Sequence, residues 1–264
     1  MNSLLQSIIL GIIQGIAEWL PVSSTGHLRL AEHFLGLTLP ILFDVTLHIG
    51  TLVVIFIFFR QDIKNILTAL VHLDFKTEYG RMIPLIIVGS IPTAFIGLAF
   101  STQIEATFTS VLPIAGTLII SGILLYMSKL AREKTERITY AHALIFGVAQ
   151  GIAIVPGISR SGTTIAVALL LGLSRTKAFR FSFLLSVPAV AGALGLTLYR
   201  EHALLAQTEF GLPEVTVGAA IAMVVGYFAL SFLKRIIENR KFHLFAYYCF
   251  AAGSILMVLG FSGY

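Results

Sequence analysis

The chain has 264 residues, 57% of them hydrophobic and only 12% charged, with a formal net charge of +5. A soluble domain carries about 25% charged residues, so this chain lacks roughly half the polar cover that water demands and is excluded from that class. The basic residues stand in short loops between apolar runs, which excludes a nucleic-acid surface, and the single cysteine, Cys249, excludes an intramolecular disulfide or a cysteine-ligated cluster.

The first apolar stretch, 4–17, has no Lys or Arg ahead of it and no small-residue cleavage site, and is read as part of the mature protein. It runs into Glu18 and Pro21 and is followed by Ser23, Ser24, Thr25 and a second short apolar stretch, so a helical hairpin is expected over about 4–37. The run 41–59 reads as a span, although Asp44 and His48 lie in its first half. Runs 82–104 and 106–128 carry no charge and meet the roughly 20 residues needed to cross a hydrocarbon core. Segment 138–174 holds one charge, Arg160, and is interrupted by Pro156-Gly-Ile-Ser-Arg-Ser-Gly162, a natural break between two helices. Three further spans follow at 181–199, 215–233 and 244–264.

The positive charges orient this path. Arg60, Lys64, Lys76 and Arg81 form one cluster, and Lys129, Arg132, Lys134 and Arg137 a second. Arg175, Lys177 and Arg180 form a third, and Lys234, Arg235, Arg240 and Lys241 a fourth. Together these are 15 of the 18 basic residues, and placing all four clusters inside leaves Arg29, Arg200 and both termini outside. Segment 138–174 is flanked by positive clusters at both ends, so it enters and returns on the same side. Irregular backbone at membrane depth is tolerated only against protein or a water-filled cavity.

The two broken segments are copies. Residues 11–36 and 147–172 align without a gap at an offset of 136, with nine identities in 26 positions. Gly11, Gln14, Gly15, Ile16, Ala17, Ser23, Gly26, Leu35 and Gly36 recur as Gly147, Gln150, Gly151, Ile152, Ala153, Ser159, Gly162, Leu171 and Gly172. The expected fold is all-α and membrane-integral, with a first repeat over 1–136 and a second over 137–264. Each repeat is a re-entrant hairpin followed by three spans. Three is odd, so the second copy is inverted, and the two breaks meet near the midplane, where such scaffolds place their ligands. Helix N-termini there suit an anion.

Identical positions serve architecture, whereas positions that diverge in polarity are candidates for chemistry. Glu18 aligns with Ile154, Ser24 with Arg160, and His27 with Thr163. An intramembrane carboxylate costs roughly 3 kcal/mol on insertion scales and marks function by default. Glu18 stands four residues after Gln14 on one helix face and suits a hard divalent cation, Mg2+ or Ca2+, with Gln14 supplying a neutral oxygen. A helix-capping Glu18, or one simply paired with Arg160, is the structural alternative. Arg160 offers a planar donor fork to phosphate oxygens, flanked by Ser159 and Ser161. Ser23, Ser24 and Thr25 supply hydroxyls, and His27 follows Ser24 by three residues. That spacing allows a Ser nucleophile assisted by His, or a His nucleophile held by a Ser; helix caps are the alternative for such hydroxyls. Asp44 and His48, four apart, can line the cavity or serve structure alone. Glu32 and His33 are placed at the outer surface, and His72, His142, His202 and His243 make no ligand pattern.

The stretch from Gln14 to His27, QGIAEWLPVSSTGH, resembles the first signature of the undecaprenyl-pyrophosphate phosphatases of the bacitracin-resistance type. PGISRSG at 156–162, with Thr164 after it, resembles their second. The resemblance implies a phosphatase of the inner (plasma) membrane that converts a polyprenyl pyrophosphate to the monophosphate for cell-envelope synthesis and faces the extracytoplasmic side. It implies a divalent cation, Ser24 and His27 as the hydroxyl and imidazole, Arg160 as the phosphate-binding arginine, and Ser159, Ser161 and Thr164 as supporting hydroxyls. At Gln14 the family has an acidic residue or Gln, and this chain carries the neutral variant. The expected partners are the lipid substrate and membrane lipids, with a homodimer left open and no nucleic acid. The rival reading is a lipid-phosphate flippase or small-anion transporter on the same scaffold.

Overall fold

The computed structural model describes residues 3–36, 41–108, 110–200 and 211–262. Residue 37 of the first expected hairpin, His202 and the last two residues of the final expected span lie outside these. Among the described residues the chain is helical throughout, in the order α1 (Ser3–Trp19), α2 (Ser24–Leu35), α3 (Ile41–Phe58), α4 (Arg60–Val71), α5 (Glu78–Thr107) and α6 (Val111–Met127), then α7 (Tyr140–Ile152), α8 (Arg160–Leu170), α9 (Arg175–Arg200), α10 (Leu212–Glu238) and α11 (Phe245–Phe261). Six of these, α3, α5, α6, α9, α10 and α11, are long and apolar enough to cross a membrane. The chain is a multi-pass membrane protein.

The six helices fall on the six apolar runs, but three outrun them, α9 by starting at Arg175 rather than near 181. Helix α5 starts at Glu78, not near 82, because Thr77 caps it with a side-chain oxygen that accepts from the Gly80 amide at 3.2 Å. At about 1.5 Å per residue its 30 residues make roughly 45 Å of helix. Helix α10 likewise extends to Glu238. Helix α4 falls outside the expected spans: Arg60 and Lys64 read as loop charges, yet Ile63 and Ile66 on the same helix pack on the main core. Besides the 12-residue α4, four helices are too short to span alone, the longest being α1 at 17 residues, about 25 Å. They form two pairs, α1 with α2 and α7 with α8, broken over 20–23 and 153–159.

Each short pair lies against the opposite half of the chain. Helix α1 packs along α10, and α7 packs along α5; α10 also packs on α3 and α5 on α9, while α6 packs on α11. Glycines permit these approaches. A Cβ on Gly11 would stand 2.6 Å from the Gly218 carbonyl of α10, and one on Gly147 would strike the Gly89 carbonyl of α5. Gly15 and Gly151, one turn on, press on α10 and α5 in the same way. In lipid, where apolar contact alone does not favour helix over solvent, such small-residue faces supply close packing. The repeated glycines are therefore contact surfaces.

Candidate active site

Pro21 cannot continue a helix, so α1 ends at Trp19 and leaves Glu18 in its last turn. Its carboxylate is buried at the negative end of a helix dipole, which disfavours an anion. Arg160 is the mirror case, a cation in the first position of α8, at the positive end. The two charges form an ion pair between Arg160 Nη2 and Glu18 Oε1, 142 residues apart in sequence. Neither helix alone favours its charge; each is tolerated because the other is there.

The two breaks are bonded to each other. Ser23, with a positive φ of 72°, caps α2 by accepting from the Gly26 amide at 3.3 Å, and the same hydroxyl oxygen accepts from the Gly157 amide at 3.0 Å. Ser161 Oγ returns the contact by donating to the Trp19 carbonyl at 3.0 Å. Gly157 itself has φ 90°, and a Cβ there would stand 2.7 Å from the Ile114 carbonyl. Helix α6 satisfies the freed carbonyls: Thr117 Oγ1 donates to Pro156 O at 2.6 Å and Ser121 Oγ to Gly157 O at 3.2 Å. The N-termini of α2 and α8 thus meet beside Glu18 and Arg160, with the amide-rich geometry that suits an anion.

Around Glu18 the polar groups converge. Ser24 Oγ donates to Glu18 Oε2 at 2.7 Å, and Gln14 Nε2 donates to the same oxygen at 3.1 Å. Gln14 Nε2 also lies 2.9 Å from His48 Nδ1, whose Nε2 faces Asp44 Oδ1 at 3.8 Å. Asp44 and His48 of α3 therefore extend the chain of contacts outward from Glu18.

Other expected residues are placed differently. Ser24 and His27 are not hydrogen-bonded to each other; His27 Nδ1 lies 2.8 Å from the Ser23 carbonyl and Nε2 lies 2.6 Å from Tyr248 Oη. Ser159 caps α8 by accepting from the Gly162 amide at 3.1 Å, and Thr164 Oγ1 donates to the Arg160 carbonyl at 2.9 Å. Ser161, Ser159 and Thr164 are all buried, and Thr25 is exposed. Tyr248, Thr117 and Ser121 were not singled out from the sequence: single polar groups in apolar runs, they acquire meaning only from what lies across the fold.

Among the described residues no three His, Cys, Asp or Glu side chains cluster as a metal site. The donors at hand are instead one carboxylate, Glu18, one amide, Gln14, and the His48 imidazole, whose Nδ1 lies 3.6 Å from Glu18 Oε2. Gln14 Oε1 is buried with no hydrogen-bond partner, a neutral oxygen beside a carboxylate, the donor type a hard divalent cation accepts. Gln150 Oε1, at the matching position of the second copy, is equally bare but has no carboxylate beside it, so the fit rests on Glu18. These residues suit a cation that draws its remaining ligands from phosphate oxygens and water.

Residues 7–255 match the family of the bacitracin resistance protein BacA. The undecaprenyl-diphosphatase of Desulforapulum autotrophicum is 41% identical, over 98% of this chain and 99% of its own length. That of Carboxydothermus hydrogenoformans is 43% identical over 100% and 99%, and that of Methanosphaera stadtmanae 40% over 98% and 99%.

Proposed function

Because the chain belongs to the BacA bacitracin-resistance family, we propose that it is a membrane undecaprenyl-diphosphatase, hydrolysing undecaprenyl diphosphate to undecaprenyl phosphate and inorganic phosphate and so recycling the envelope lipid carrier. The observation that carries the chemistry is the Ser24–Glu18 contact, a hydroxyl donating to a buried carboxylate at 2.7 Å. A transporter has no need of a nucleophile–base pair beside an arginine fork.

In this reading Arg160 divides its fork between Glu18 and the terminal phosphoryl group. As phosphate draws the guanidinium away, Glu18 loses its counter-charge and becomes the stronger base for the Ser24 proton. Ser24 Oγ attacks the terminal phosphorus; its P–O bond forms as the bridging P–O bond breaks, and undecaprenyl phosphate departs. Water then displaces the Tyr248 hydroxyl from His27 Nε2 and attacks the phosphoserine, giving up a proton to that nitrogen, while Glu18 returns its proton to Ser24 Oγ as the P–Oγ bond breaks and inorganic phosphate leaves. Arg160 and the N-termini of α2 and α8 stabilise the charge on the phosphoryl oxygens. Glu18 and Gln14 would hold the divalent cation, which when bound neutralises phosphate charge. Ser159, Ser161, Thr164 and Ser23 support the phosphate site by fixing the two breaks around it, with Thr25 at its exposed edge.

The architecture belongs to the same proposal. The chain reads as two inverted repeats, 1–136 and 137–264, each a re-entrant pair and three spans. Supporting this, the contacts α1–α10 and α7–α5 exchange when the halves are swapped, as do α10–α3 and α5–α9. With the four basic clusters inside, the site opens to the extracytoplasmic face of the inner membrane and both termini lie outside. A rapid acid quench of the purified protein turning over substrate labelled in the terminal phosphate should recover label on Ser24. Full turnover with no labelled Ser24 would leave His27 or an activated water as the nucleophile and sink the phosphoserine step.

A further inference from the structure

The last helix reaches the site at one residue. Tyr248 on α11 places Oη 2.6 Å from His27 Nε2, and the two rings stack with centroids 5.8 Å apart and planes 22° from parallel. The opposite ring nitrogen, Nδ1, is 2.8 Å from the Ser23 carbonyl oxygen. A carbonyl oxygen only accepts, so Nδ1 carries the proton in the neutral ring. The lone pair is then on Nε2, and the Tyr248 hydroxyl donates to it. Next to Tyr248, Cys249 is fully buried and donates to the Pro21 carbonyl at 3.4 Å, which seats α11 against the first break. The imidazole is thus held from both sides, by the α2 cap and by a helix 221 residues away.

Resting on the phosphatase reading, we propose that Tyr248 is a positioning residue for His27, fixing the tautomer and plane of the ring through both protonation states. A hydroxyl suits this because it donates to Nε2 in the neutral ring and accepts from Nε2–H in the imidazolium. Ser23 O accepts from Nδ1–H in either state, so a proton arriving at Nε2 does not oblige the ring to turn. Tyr248 is thus the orienting group for the base of the second, hydrolytic step, supplied here by the second half of the chain. Tyr248 is 46% exposed, so a competing role is contact with the polyprenyl tail of the substrate. The two roles differ in what they change: orientation affects turnover, whereas tail contact affects binding.

The test uses the full chain in detergent with undecaprenyl diphosphate. Tyr248→Phe keeps the stacked ring and removes the hydroxyl, and is expected to lower kcat about tenfold with KM within twofold and an unchanged melting temperature. An activity-independent arm follows carbethoxylation of His27 by diethyl pyrocarbonate, peptide by peptide. Uncovering Nε2 should speed labelling of His27 several-fold in Tyr248→Phe, while the exposed His72 at the C-terminal end of α4 is unaffected. A wild-type kcat, a rise in KM alone, or an unchanged labelling rate at His27 overturns the proposal. Were wild type to release no phosphate, the hydrolase reading would fall, and the labelling arm would still decide whether Tyr248 covers His27.

Discussion

Arg160 has two anions to serve, and substitutions there can separate them. Arg160→Ala leaves Glu18 buried without its counter-charge, and breaking such a pair costs on the order of 3 kcal/mol, to be seen as a lower melting temperature in detergent. Its loss of a transition-state donor fork should cut kcat/KM by about 10³. Arg160→Lys keeps a charge near Glu18 but not the planar fork, so most stability should return while activity stays low. Equal recovery of both would show that the fork has no role in phosphate recognition. Gln14 permits a sharper test of the cation. Removing its bare Oε1 by Gln14→Leu should raise the Mg2+ concentration needed for half-maximal activity by roughly tenfold or more, in line with the loss of a metal ligand, and chelation should abolish turnover in wild type. A Mg2+ dependence identical to wild type would remove Gln14 from the ligand set.

At the scale of helices, the repeated glycines predict where bulk is refused. Gly11→Ala and Gly147→Ala each force a methyl against a carbonyl of the partner helix and should destabilise by about 1–3 kcal/mol. Gly116→Ala, where nothing lies within 4 Å, should be silent in the same thermal assay. These glycines could be read in advance as architecture because they recur while Glu18, Ser24 and Arg160 do not. The six spans were legible for a similar reason, since a charge-free run of that length has few other uses. Helix α4 was hidden because its charges outweigh its apolar face until Ile63 and Ile66 are seen against the core. The Ser24–His27 spacing suggested a pair, yet at a helix start the first side chain turns back toward α1 and Glu18, whereas His27 reaches the carbonyl four residues behind it. Spacing along one helix could not reveal Tyr248, which approaches from another.

For the molecule as a whole, the path through the membrane makes opposite predictions for two exposed residues. In a Cys249→Ser background, His33→Cys at the end of α2 should react with a membrane-impermeant thiol reagent added to intact spheroplasts. Lys134→Cys, between the two halves, should react only after the membrane is opened. Labelling of both from one side would overturn the assignment of sidedness. The same assignment explains why two halves of similar sequence are not interchangeable. One break carries the carboxylate and the other the guanidinium, so the site exists only where both meet.

That division has a consequence in time. A ribosome adding about 5–20 residues per second takes roughly 7–28 s to travel the 142 residues from Glu18 to Arg160. Throughout that interval the nascent first half holds a carboxylate with no guanidinium to meet it. A chain that stops short of Arg160 keeps that uncompensated acid for good, and with it the cost of a buried charge that has no partner.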